Sequence, residues 1–303
     1  MRARRFLAVL LAVGLAPAAS AQTPPSPPPP PYSLPWLLRP AAAGTVVRLD
    51  STLALYEDAA TGSGGHTLVE SFVASYRLAP RWAPLFRVSW VRNRAPEGTA
   101  ERSGSAFSNP LLGASYVRPL PRQWRLSVFG ASTVPIGGGG GDAPDAGAAA
   151  AMARAIPARS AMDNALFAVN YWTVIGGIGA ARVTPGLTLQ AEATVLQLTR
   201  VRGPRAQDGS RTNLTVGLHA GRFLTPRFSV GGELRMQRWL TDAAPVRANP
   251  RARETLTAAL GPRLHLKAGR HWIRPGLSYT RALDQPLKGQ GYDMLQLDVP
   301  VAF

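Results

Sequence analysis

The chain of 303 residues contains no cysteine, which excludes disulfides, thiolate metal sites and lipid attachment at a lipobox. Histidine is scarce too. His66, His219, His265 and His271 are scattered, and no Gly-x-Ser-x-Gly stretch accompanies them. The sequence therefore offers neither a metal-ligating set nor a nucleophile with its base, and no enzyme, cofactor or metal is expected. Acidic residues number 17 against 34 basic ones, for a formal charge of +17, and an excess of that size calls for a partner bearing phosphates or carboxylates. Beyond the first fifteen residues no apolar run approaches the ~20 residues of a membrane helix, although 46% of the chain is hydrophobic and only 17% charged. The apolar content must be spread in some other pattern.

The N-terminus reads as a secretory leader. Arg2, Arg4 and Arg5 precede an apolar run over residues 6–15, and Ala19, Ser20 and Ala21 supply small residues for cleavage after Ala21. Behind such a leader nucleic acid is not an expected partner, which leaves lipopolysaccharide phosphates and small anionic solutes. Residues 22–31 are dominated by proline and read as a stiff spacer. Residues 33–43, with Trp36, Leu37, Leu38 and Arg39, either plug the periplasmic mouth of the domain C-terminal to them or lie at its interface. The expected organisation is a signal peptide over 1–21, a proline-rich periplasmic segment over 22–43 and one β-domain over 44–303.

That domain is organised around its last stretch. Leu295, Leu297, Val299, Val301 and Phe303 point one way, and Gln296, Asp298, Pro300 and Ala302 the other. A period of two means a strand with one greasy and one polar face. Eleven earlier segments from Thr45 onward behave alike, the sixth, glycine-rich over residues 166–181, being ambiguous in its facing. Every second connection is tiny, as in Ala79-Pro80-Arg81, Thr184-Pro185-Gly186 and Thr225-Pro226-Arg227, while those between are long and polar. Short turns at one end and long loops at the other predict an all-β transmembrane antiparallel up-and-down β-barrel of about twelve strands, with the short turns periplasmic and the long loops extracellular. Trp82, Trp124, Phe228, Trp272 and Phe303 beside short turns, and Trp90, Trp239 and Tyr279 toward the loops, read as two interfacial girdles. The closing strand, ending on Phe303, resembles that of bacterial outer-membrane barrels, which implies recognition by the barrel assembly machinery. Outer-membrane lipid and lipopolysaccharide are the remaining expected partners.

A narrower resemblance lies in Ser108-Asn109-Pro110-Leu111-Leu112-Gly113-Ala114-Ser115-Tyr116 and in residues 128–137, ending Thr133-Val134-Pro135-Ile136-Gly137. These resemble strand motifs of the transporter-like outer-membrane proteins associated with phenol-degradation pathways. The resemblance implies a barrel that passes small, apolar or aromatic molecules and carries over no catalytic residue.

Assigning the greasier side of each strand to lipid leaves Arg48, Asp50, Arg87, Arg125, Glu192, His219, Glu233, Arg235, Gln237, Arg263, His265, Lys267, Arg274 and Asp298 facing the lumen. Two readings stay open: a charge-pairing network that holds the barrel round, with Glu233–Arg263 and Arg235–Glu192 as expected pairs, or a selectivity ring for anions. The glycine run 137–141 lacks the Gly-Lys-Ser/Thr of a phosphate loop. The alanine-rich stretch after it favours a helix that, folded inward, constricts the pore with Arg154 and Arg159. Asp142 and Asp145 are too few for a calcium site. The function read from the sequence is a passive pore or transporter for small solutes, with anions favoured. The alternatives are a plugged structural barrel with partner-binding loops and an outer-membrane lipid-modifying enzyme.

Overall fold

Alternation becomes architecture directly. The computed structural model describes residues 32–57, 62–96, 102–204 and 208–303; the leader and residues 22–31 lie outside the described residues. Fifteen strands form one sheet: β1 (Val46–Glu57), β2 (Gly64–Ser75), β3 (Trp82–Arg94), β4 (Gly104–Phe107), β5 (Leu111–Pro119), β6 (Trp124–Thr133), β7 (Tyr171–Val183), β8 (Leu187–Arg200), β9 (Ser210–Thr225), β10 (Phe228–Trp239), β11 (Glu254–Leu264), β12 (Leu266–Ala268), β13 (His271–Ile273), β14 (Gly276–Ala282) and β15 (Asp293–Ala302). Every pairing is antiparallel, and β1 pairs with β15 from Val46 opposite Ala302 to Leu55 opposite Asp293. The sheet is thereby closed, and no edge is left to lipid. Three of the staves are interrupted: β4 and β5 flank Ser108-Asn109-Pro110, β11 and β12 flank His265, and β13 and β14 flank Arg274-Pro275. Each interrupted pair forms one stave, so the barrel has twelve.

Facing follows the parity of each strand. Leu49, Phe72, Leu112, Leu126, Leu189, Leu218, Leu260 and Leu297 are exposed on the outer surface, while Asp50, Ser71, Ser89, Gln190, His219, Arg263 and Asp298 are buried inside. The sixth segment resolves as β7, with Thr173, Ile175 and Ala181 inward and Trp172, Val174 and Ile178 outward. It begins later than expected, because residues 164–167 form a short helix, α2 (Asn164–Phe167).

The girdle is revised at three positions, the first being Trp272, which stands opposite Lys267 and Ala302 and so has the lumen parity at the short-turn rim. Trp239 is buried in the lumen, with the Arg211 guanidinium 4.9 Å from its ring centre. Its parity is that of Glu233, Arg235 and Gln237, which overrides the preference of tryptophan for the interface. Trp172, 45% exposed on the outer face, takes a place toward the long loops.

The core lies in the extracellular half of the barrel, around α1 (Ala146–Ala158). Asp145 caps this helix, its carboxylate accepting from the Ala148 backbone N–H at 2.7 Å. Ala151, Met152, Ala155 and Ala158, with Leu166 and Phe167 of α2, pack on Val69, Val91, Ile175, Leu196, Leu198 and Met294 of the inner wall. A buried Met, Leu or Phe contributes roughly 1.5–3 kcal/mol, so apolar contact is a large part of what keeps this loop inside.

Candidate functional site

The periplasmic half of the lumen is occupied by residues 32–43. Tyr32, Trp36, Leu38 and Ala41 are buried there. This stretch is neither helix nor strand, so its backbone donors need partners that the ladder does not supply. The wall supplies them. The Trp36 and Leu37 N–H groups donate to the Glu233 carboxylate, Leu37 at 3.2 Å, and Arg39 N–H donates to Glu192 Oε2 at 2.8 Å. Ser33 N–H donates to Thr188 Oγ1 at 3.1 Å, and the Tyr32 hydroxyl donates to Gln190. Burial raises the Tyr32 phenol above its ordinary value, so it stays a neutral donor. In return, Arg48 donates to the Trp36 carbonyl and His219 Nε2 to the Ser33 carbonyl at 3.1 Å. The Trp36 ring packs under the Arg263 guanidinium, 4.3 Å from its centre, and its edge meets the backbone of Gly276, the residue paired with Arg263, where a Cβ would fall 2.6 Å from the ring.

The extracellular half is fastened by ions at the C-terminal end of α1. Arg159, 1% exposed, meets both Asp50 oxygens at 2.8 Å and Asp163 Oδ2 at 3.0 Å. Arg87 meets Asp163 through two hydrogen bonds of 2.7 and 2.6 Å. Burial alone would push the Asp163 carboxyl up, but the charges of Arg87 and Arg159 and their hydrogen bonds outweigh it and hold it well below the usual carboxylate range. Arg154, one helical turn earlier, donates to the Tyr292 hydroxyl at 3.1 Å and lies 4.2 Å from the Tyr56 ring centre. Burial pushes the Tyr292 phenol up to about 12.

No protein-family model matches the chain, and no curated protein matches it in sequence. Solved structures do match. An outer membrane channel from Pseudomonas putida F1 superposes with a TM-score of 0.57 at 13% identity, covering 88% of this chain and 98% of that one. The NanC porin superposes with a TM-score of 0.52 at 9% identity, covering 84% and 98%. The fold is that of outer-membrane β-barrels. At such low identity the likeness extends to the fold alone.

The structure brings most of the sequence-predicted residues together but changes their partners. Glu233 pairs with Arg235 on its own strand at 2.7 Å, and not with Arg263. Arg263 instead reaches Asp298 at 2.5 Å, a carboxylate that Arg48 also holds at 2.6 Å. Glu192 pairs at 3.2 Å with Arg39 of the internal segment, and not with Arg235. The expected pairs drew only on wall residues, and the inserted segment takes the carboxylates first. Arg125 faces the segment, donating to the Ala41 carbonyl at 3.4 Å, with the Tyr32 ring centre at 5.5 Å. Arg274 lies 5.5 Å from the Trp272 ring centre. His265 shares a 2.8 Å hydrogen bond with Ser229 Oγ and packs at a tilt against Phe223, ring centres 4.5 Å apart. Lys267 is exposed at the short-turn rim, outside the lumen, because its strand is already ending. Arg159 is sealed in an ion network and does not line an open path. Sequence reasoning missed Asp163, Thr188 and Gln190 as anchoring groups. A surface cleft of about 600 Å³, lined by Arg238, Arg251, Arg253, Glu254 and Asp284 among others, lies between the long loops. Among the described residues no cluster of His, Asp and Glu could hold a metal.

Proposed function

We propose that the protein is an outer-membrane channel closed by two internal segments, and that it passes small solutes when residues 32–43 leave the lumen. The observation that carries this reading is how that segment is held. Its backbone N–H groups rest on the carboxylates of Glu192 and Glu233, contacts of roughly 1.5–3 kcal/mol each that water or a passing solute can take over one at a time. The fold shared with an outer membrane channel and a porin agrees with it. Among the described residues Arg125 and Arg274 face inward without a carboxylate partner, which favours anions in the opened path. Small aromatic or apolar solutes, as the transporter-like resemblance implies, fit the same path if they carry a negative group. The leader would be removed after Ala21, the assembly machinery would read the closing strand, and lipopolysaccharide would surround the loops.

A second reading, a permanently plugged structural barrel with partner-binding loops, draws support from the buried Arg159 network. A lipid-modifying enzyme is not favoured. The Ser229–His265 pair has no acidic third group among its contacts and faces inward, and His219 is engaged by the internal segment. Single-channel conductance and reversal potential of the full chain, against a variant lacking residues 32–43, separate the readings. Anion-selective current that rises on deletion supports the channel. Silence in both forms supports the structural barrel.

A further inference from the structure

Charge is segregated along the barrel axis. At the long-loop end acids and arginines mingle and pair, as in Arg238–Glu254 at 3.2 Å and Arg247–Asp208 at 2.6 Å. At the short-turn end none of the turns, and none of the outward strand positions beside them, carries an acidic side chain. Basic residues gather there instead. Arg118, Arg182 and Arg222 stand on outward positions of β5, β7 and β9, in register with Leu126, Leu189 and Leu187 of the lipid-facing band. Arg81, Arg122, Arg227 and Arg270 project from the turns, all exposed. None of these guanidinium groups makes an ion pair with a described residue; Arg81 reaches only the Tyr116 hydroxyl, at 3.4 Å. Trp82, packed on Tyr116 with ring centres 5.1 Å apart, and exposed Trp124 stand among them at the height of an interface.

From this placement we infer that the short-turn end is a collar that binds anionic phospholipid headgroups of the leaflet facing the periplasm. Strand arginines level with the last leucines of the apolar band reach phosphates at headgroup depth by extending their stems along the acyl chains. Turn arginines reach the same plane from below, and gathering so many like charges on one rim without acids is tolerable only where counter-charges are dense. The proposal rests on the membrane reading above but not on the channel being open. A lipid, rather than an acidic protein, is the occupant because Arg118, Arg182 and Arg222 are on the lipid face itself and continue it.

The test measures quenching of intrinsic tryptophan fluorescence by brominated phosphatidylglycerol relative to brominated phosphatidylcholine, with the refolded full chain in vesicles. Each basic group near a charged surface is worth on the order of a fivefold preference. The wild type is expected to prefer the anionic lipid at least about fivefold. Arg118→Gln, Arg182→Gln and Arg222→Gln together should remove most of that, and the three Arg→Lys changes should keep it. If the glutamine variant does not refold, salt on the wild type decides: a preference that falls between ~50 mM and ~500 mM salt supports the collar. No preference in the wild type, a preference that survives in the glutamine variant, or one indifferent to salt would overturn it, leaving the rim to an acidic periplasmic protein. None of these outcomes depends on conductance, so they leave the channel reading to its own test.

Discussion

Arg159 and Asp50 stand 109 residues apart and meet through two parallel hydrogen bonds of 2.8 Å. The pair ties the end of the longest loop to the first strand, in a place where both side chains are almost fully buried. Removing one member leaves the other charge uncompensated, at a cost of about 3–5 kcal/mol. Arg159→Met should therefore loosen α1, seen as faster hydrogen exchange over residues 146–158. Asp50→Asn added to it should restore much of the protection. Equal exchange in the single and double variants would show that the pair does not hold the helix.

Glu233 tests the other closure. Glu233→Gln preserves shape but replaces charge-assisted bonds to the Trp36 and Leu37 N–H groups by neutral ones, roughly half as strong. It also leaves buried Arg235 without its ion pair. The expected result is more frequent opening in single-channel records, with unitary conductance in the open state unchanged. A record indistinguishable from wild type would mean that this carboxylate does not anchor the segment.

Gly276 and Gly217 separate a rigid contact from a pliant one. A Cβ at Gly276 would meet the Trp36 ring at 2.6 Å with Arg263 behind it, and one at Gly217 would meet the end of Leu38, also at 2.6 Å. A leucine can change rotamer; a buried rigid ring under a guanidinium cannot give way as cheaply. Gly276→Ala should cost the internal segment about 1–3 kcal/mol and shift Trp36 emission to the red, while Gly217→Ala should do clearly less. The order of the two variants is the measurement.

Asp163 sets the pH at which the loop lets go. Its carboxyl is lowered in the folded protein from the ordinary value of about 3.9. Its contribution is complete above that ordinary value and drains as pH falls through the lowered one. Protease resistance of residues 146–163 should thus be flat from about pH 8 to about pH 5 and decline only in stronger acid. In Asp163→Asn, whose side chain does not titrate, resistance should be lower at neutral pH. Loosening of the wild type already near pH 6 would contradict the ion network.

Alternation made the staves legible because a barrel in lipid needs one greasy and one polar face on almost every strand. The facing of Glu192, Glu233 and Arg263 comes from it, as does the helix in the alanine-rich loop from alanine's propensity. The partners of those residues do not. Glu192 and Glu233 accept from the backbone of residues 36–39, and any sequence with free N–H groups can make such bonds, so no motif marks them. The Arg159–Asp50 pair likewise spans a distance that periodicity does not reach. Two signals were present but weak. Leu196 and Leu198 continue the inward parity of Gln190 and Glu192, so the apolar inner wall near the long loops announces something docked there. Trp239 continues the parity of Glu233 in the same way.

Arg235 touches both closures at once. Its Nε holds Glu233, which carries the segment from one mouth, and its Nη1 lies 3.4 Å from Ser160 Oγ, at the end of the helix from the other. The two barriers therefore share a hinge pin rather than standing in series as separate doors. Displacing either segment strips a hydrogen-bond partner from, or from beside, the same buried guanidinium, which couples the two mechanically through one side chain.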